Sequence, residues 1–325
     1  MIFKIKEKNI LRWFGILIVS GVLLTGGIAF GKAAPAAQKQ KTFASPEEAV
    51  KAVITAARNN EDKELLAIFG SAAKDLIFSG DAVADKDRRE RLLKAYDEKN
   101  SIVPEKAGMV MVIGSDDWPF PIPLVKKGDQ WFFDTKAGRE EVLNRRIGQN
   151  ELSTIQTMLA IVDAQREYAM NDRDKDALLE YAQKFMSDAD KKNGLYWKTK
   201  EGEEPSPLGE LAADARAEGY TRKDKPVPYH GYYYRILKAQ GPNASGGAYD
   251  YLVKGNMIGG FAVVAYPAEY GNSGVMTFIV NHDGVVYQKD LGKNTATMAK
   301  AMRKFDPEKS WKKVDQVVSS AVSGP

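Results

Sequence analysis

Apolar and polar positions alternate along this chain in two different rhythms, and the change between them marks its parts. Ser45-Pro46-Glu47-Glu48 carries a capping serine, a proline at the first helical position and acids near the positive helix end. Ala49, Ala52, Val53 and Ala56 follow at helical spacing, which predicts a first helix. A second covers Asp62 to Phe69 and stops at Gly70, and Lys86 to Glu98 reads as a charged helix with Leu92, Leu93 and Tyr96 inward. After Pro104 the rhythm becomes strand-like, with short apolar runs at Met109 to Ile113 and Ile122 to Val125. Lys127-Gly128-Asp129 then turns the chain into Trp131-Phe132-Phe133-Asp134, a hairpin pattern. Between the runs, the alternating prolines of Asp116-Asp117-Trp118-Pro119-Phe120-Pro121-Ile122-Pro123 cannot donate ladder hydrogen bonds. They predict an edge strand or an extended surface strip.

The clearest helical pattern runs from Gly138 through Val142, Leu143, Ile147, Leu152, Ile155, Met158 and Val162 to Tyr168, with a break expected at Gly148. A further helix is expected to carry Leu178, Leu179, Tyr181 and Phe185. Another, Leu211 to Glu218, should end at Gly219. Strands are predicted at Tyr232 to Ala239, Gly260 to Tyr266, Val275 to Val280 and Val285 to Lys289, the last two joined by Asn281-His282-Asp283-Gly284. The fold class that follows is α+β in two domains. A helix-plus-antiparallel-sheet domain spans 43–135. A long helix packed on a three- to four-stranded antiparallel meander spans 138–292, and a C-terminal helix and tail fill 293–325.

The length of 325 residues agrees with about two domains at ~150 residues each. The chain has no cysteine, which excludes disulfides, thiolate metal sites and cysteine nucleophiles, and its two histidines leave little for an imidazole metal site. Lys4, Lys6, Lys8 and Arg12 precede an apolar run from Trp13 to Phe30 and the small-residue stretch 31–36. That order predicts a secretory signal peptide over 1–36, with an uncleaved N-terminal anchor as the alternative. Its removal leaves 42 basic and 42 acidic side chains. A neutral mature chain has no general attraction for phosphate backbones, so nucleic acid is not an expected partner, and no integral membrane span is expected after cleavage.

Three constellations carry candidate chemistry. Asp172, Asp174 and Asp176, with Glu180, have the alternating oxygen spacing of a calcium loop, although Ala177 and Gln183 stand where such a loop wants glycine and a bidentate glutamate. Nine of the 14 tyrosines fall between Tyr220 and Tyr270. Tyr229, Tyr232 and Tyr234, with His230 and Arg235, would offer an aromatic platform with polar contacts to a sugar or peptide; packing against the long helix is the other reading. Asp116, Asp117 or Glu269 with His230 could supply acid–base groups. No Gly-x-Ser-x-Gly elbow or nucleotide motif is present.

Helices followed by strands with a Lys-Gly-Asp-x-Trp hairpin resemble the nuclear transport factor 2-like cone, which implies a pocket between sheet and helix. Ala164-Gln165-x-x-Tyr168, Gly231-Tyr232-Tyr233-Tyr234 and Thr277-Phe278-Ile279-Val280 resemble the globular domain of pilins and pseudopilins. Across the mature chain stand Asp117-Trp118-Pro119-Phe120-Pro121-Ile122-Pro123, Asp163-Ala164-Gln165-Arg166-Glu167-Tyr168-Ala169, Tyr229-His230-Gly231-Tyr232-Tyr233-Tyr234-Arg235, Ile258-Gly259-Gly260-Phe261-Ala262 and Pro267-Ala268-Glu269-Tyr270-Gly271. With these segments the mature chain as a whole resembles a bacterial exported family known as domain of unknown function 2950. The likeness implies export and no activity. The expectation is an exported envelope protein, non-catalytic, that binds through a tyrosine-rich surface to an envelope protein or cell-wall fragment. An envelope hydrolase using carboxylates with His230 and a pseudopilin-related assembly component are the alternatives.

Overall fold

The computed structural model describes residues 39–106, 108–173, 175–200, 202–221 and 226–315. The signal peptide expected over 1–36, Asp174 of the acidic turn and the end of the tail lie outside the described residues. The chain is α+β, and its described residues pack around two hydrophobic cores.

The first core lies between four helices and an antiparallel sheet. Helix α1 (Pro46–Arg58) starts as its cap predicts, with the Glu48 amide donating to Ser45 Oγ at 3.2 Å. Helices α2 (Asp62–Phe69), α3 (Lys74–Ile77) and α4 (Ala82–Glu98) follow. The sheet comprises β1 (Asn100–Glu105), β2 (Gly108–Ile113), β3 (Trp118–Pro119), β4 (Leu124–Lys127) and β5 (Gln130–Phe133), in the order β1-β2-β4-β5 with β3 paired to β2. The proline strip is thus a short edge segment, with Trp118 opposite Ile113 and Pro119 opposite Val112. The β4–β5 hairpin turns at Gly128-Asp129, where Gly128 takes a φ of 62°.

Helix α5 (Thr135–Tyr168) serves both cores. Val142 and Leu143 pack on the first, Met158, Ile161 and Val162 on the second. It runs without interruption through Gly148, against expectation. A mid-helix glycine costs about 0.5–1 kcal/mol, and three neighbours offset it by gripping the loop 272–276. Arg146 donates to Asn272, Asn150 Nδ2 donates to the Ser273 carbonyl at 2.8 Å, and Glu151 Oε1 accepts the amides of Val275 and Met276. Near its start, a Cβ on Gly138 would stand 2.4 Å from the Pro121 carbonyl oxygen, so the missing side chain lets the proline strip lie against the helix.

The helix expected around Leu178 to Phe185 is absent. Those backbone groups find distant partners instead. The Tyr181 amide donates to the Met257 carbonyl, the Ala182 amide to Gln165 Oε1, and the Phe185 carbonyl accepts from the Tyr196 amide. Helix α6 (Gly209–Ala217) precedes a five-stranded antiparallel meander. Its strands in spatial order are β6 (Tyr232–Leu237), β11 (Ala262–Pro267), β12 (Met276–Asn281), β13 (Tyr287–Asp290) and β14 (Lys312–Lys313), one more than the pattern predicted. Two small ribbons, β7 (Ala239–Gln240) with β8 (Tyr249–Asp250) and β9 (Leu252–Val253) with β10 (Asn256–Met257), fill the β6–β11 connection. Helix α7 (Thr295–Ala301) packs on β11 and the last strand closes the edge. Among the described residues, no helix is long and apolar enough to cross a membrane.

Candidate functional site: a chamber in the first lobe

The helices that cover the first core do not close on it completely. A cavity of about 570 Å³ lies between α1, α2, α3, α4, the proline strip and α5, within the range of about 300–1,000 Å³ common for small-molecule sites. Its walls are mainly carbon: Val53, Leu65 and Phe69 on one side, Leu92, Ile122 and Val142 on others. Helical spacing explains the facing residues. Asp85, Arg88, Arg89 and Leu92 lie three and four apart on α4, and Val142, Arg145, Arg146 and Gln149 do so on α5. Helix α4 covers the space without a single fully buried side chain, because its inner face meets a void where packed neighbours would otherwise stand.

Five arginines of this lining stand out. Arg88 pairs with Asp85, Arg89 with Asp62 at 2.8 Å, Arg91 with Asp87 at 3.2 Å and Arg145 with Glu141, while Arg145 also lies over the Trp118 ring, 4.6 Å from its centre. Arg146 differs. It is 5% exposed and has no carboxylate at ion-pair distance among the described residues. Its guanidinium donates to the Asp75 carbonyl at 2.6 Å, to the Leu76 carbonyl and to Asn272 Oδ1, and its Nε finds no acceptor. Burial, followed by the charge of Arg88, lowers its pKa to about 10, so it stays cationic at neutral pH. Sequence spacing hid this residue: on a helix of mixed polarity nothing local separates Arg146 from Arg145.

A wider depression of about 750 Å³ lies open over Asn60 to Glu64, where Lys41 pairs with Glu64 and Arg89 with Asp62. It offers no enclosed wall.

The residues singled out from the sequence fall elsewhere. Tyr232 is fully buried and donates to the Met276 carbonyl at 2.9 Å. Tyr234 reaches Thr154 Oγ1 at 3.3 Å on α5. Arg235 donates to the carbonyls of Ala299 and Met302 at the negative end of α7. These three side chains hold the second lobe together. Tyr229 and His230 do meet, ring centres 4.2 Å apart, and Tyr220 completes the cluster. His230 lies 3.4 Å from Glu218, a neighbour that sequence reasoning missed. Glu269 instead accepts from Asn272, and Asp117 pairs with Lys99 at 2.7 Å in the turn before β3. Asp116 is exposed in the same turn.

The acidic turn is tied to its own backbone and to a neighbouring ribbon. Asp172 accepts the amides of Lys175 and Ala177, Asp176 accepts from Leu178 and Asn256, and Glu180 accepts the Met257 amide at 3.0 Å. No group of three or more carboxylate or imidazole side chains converges among the described residues.

One titration is testable here. Burial pushes the His230 imidazole below its ordinary value; the charges of Asp81 and Asp87 oppose that and those of Arg91 and Arg88 add to it. The folded chain therefore holds this proton less firmly than the unfolded one. The stability that results is complete above about pH 6.5 and falls as pH drops through that value toward the folded one. Glu218 shifts upward through burial, then the charge of Asp87, so it acts in the opposite sense at lower pH. The melting temperature should fall between pH 7 and 6. His230→Asn, which suits the φ of 49° at that position, should flatten this slope. An unchanged slope in the variant would contradict the assignment.

Comparison with curated proteins finds no match, and comparison with solved structures finds none. A family model does match, over residues 40–314, which takes in both lobes, the arginine-lined chamber and the tyrosine-rich segment. The chain belongs to the family described as protein of unknown function (DUF2950).

Proposed function

We propose that the protein is a non-catalytic binding module of the cell envelope, and that its first-lobe chamber holds the apolar body of a small molecule. One observation carries the reading: a half-open, carbon-walled cavity of about 570 Å³ beneath a helix that has no fully buried side chain. Each methylene transferred from water into such a space contributes about 0.8 kcal/mol. A ligand with an extended hydrocarbon part gains most. The envelope assignment rests on the basic, apolar, small order of residues 1–36.

A neutral naphthylamine probe, dark in water and bright in apolar surroundings, tests the reading. The full chain should take it up in a one-to-one ratio. Leu92→Trp, which places an indole in the chamber from the loosely packed α4, should abolish uptake without lowering the melting temperature. No uptake by the unaltered chain, or equal uptake by the variant, would overturn the reading.

A further inference from the structure

We propose that the ligand of this chamber is a long-chain carboxylate, its head group held by Arg146 and its hydrocarbon chain lying among Val53, Leu65, Phe69 and Leu92. The inference rests on the binding reading above and adds the chemistry of the polar end.

Charge accounting selects the head group. Arg88, Arg89, Arg91 and Arg145 of the lining each have a carboxylate partner, Asp85, Asp62, Asp87 and Glu141 respectively. Arg146 has no carboxylate at ion-pair distance. Asp85, Asp75 and Glu269 act on it through space, but the Asp85 carboxylate is held by Arg88 and that of Asp75 by Arg139, and Asn272 stands between Arg146 and Glu269. None reaches the guanidinium. A buried cation satisfied only by carbonyl and amide oxygens is costly, and an anion supplied from outside the chain relieves the cost. A single guanidinium without a direct ion pair suits one negative charge, which a carboxylate carries and a phosphate monoester roughly doubles.

Depth orients the ligand. Arg146 is 5% exposed, whereas the side chains of Arg91 and Arg145 are 45% and 35% exposed. The cation without an ion-pair partner is therefore at the inner end of the lining, with Nε and one Nη2 hydrogen among its five donors not spent on the protein. A carboxylate suits such donors, since charge-assisted hydrogen bonds are about twice as strong as neutral ones.

The test is displacement of the neutral naphthylamine probe from the full chain by four twelve-carbon amphiphiles: laurate, dodecanol, dodecyl phosphate and dodecyltrimethylammonium. Laurate should displace the probe at a concentration about tenfold or more below dodecanol, with dodecyl phosphate weaker than laurate and the cation weakest. Arg146→Gln should erase the advantage of laurate over dodecanol while leaving dodecanol unchanged. Should that variant fail to fold, Arg146→Lys keeps the buried charge, and the ranking on the unaltered chain decides by itself. Laurate and dodecanol displacing alike would overturn the carboxylate proposal and leave the binding reading intact. Probe uptake that none of the four can compete would overturn the carboxylate proposal too, and absence of uptake would end both.

Discussion

Tyr232→Ala should cost the fold about 3–5 kcal/mol, the range for removing a large buried aromatic side chain. The ring is fully buried in the second core and lies 5.9 Å from Phe278. Its hydroxyl donates to the Met276 carbonyl at 2.9 Å and stands 3.5 Å from Glu151 Oε1. The neighbouring backbone is fitted to it: a Cβ on Gly274 would lie 2.0 Å from the phenolic oxygen. Tyr232→Phe keeps the ring and removes one hydrogen bond, so it should cost only about 1 kcal/mol. Urea denaturation followed by tryptophan fluorescence separates the two. A loss below about 1 kcal/mol for the alanine variant would mean that the ring is not a core residue, and the surface-platform expectation would regain its footing.

The second large effect is expected at Asp81, a carboxylate only 1% exposed. One oxygen caps α4 by accepting the amides of Val83 and Ala84 at 3.2 and 3.1 Å. The other accepts from the Tyr220 hydroxyl at 2.8 Å and from the Gly231 amide at 2.9 Å. Asp81→Ala removes the cap, worth about 1 kcal/mol, and leaves the half-buried Tyr220 hydroxyl and the buried Gly231 amide unsatisfied at about 1–3 kcal/mol each. A total of about 3–7 kcal/mol follows, with faster amide exchange at Gly231 and in the first turn of α4. Exchange that stays slow at Gly231 in the variant would contradict the role given to this carboxylate.

How much of this was readable from the sequence depends on how local each cause is. Ser45 and Pro46 announce α1, Gly128-Asp129 turns the first hairpin and Asp283-Gly284 the second, because caps and turns are decided within a few residues. The unbroken α5 and the non-helical run near Leu178 were not readable. Their causes include partners far along the chain, such as Ser273 for Asn150 and Met257 for Tyr181. The tyrosine-rich segment was visible as a composition bias, but the direction of each ring was not. Tyr232 points into the core and Tyr229 joins Tyr220 and His230. The likeness to a cone implied a pocket between sheet and helix, whereas the chamber lies among α1 to α5 and the proline strip. Its arginines were not foreseen, since four of the five look alike in sequence and in pairing, and only burial singles out Arg146.

A ligand's apolar part is expected to occupy the first-lobe chamber. Methyl-labelled protein with bound laurate tests it most directly through intermolecular nuclear Overhauser effects. Contacts are expected from the alkyl chain to methyls of Val53, Leu65, Leu92 and Val142, which lie on four different helices. Contacts confined to residues beside Tyr229 and His230, with those four methyls silent, would contradict it.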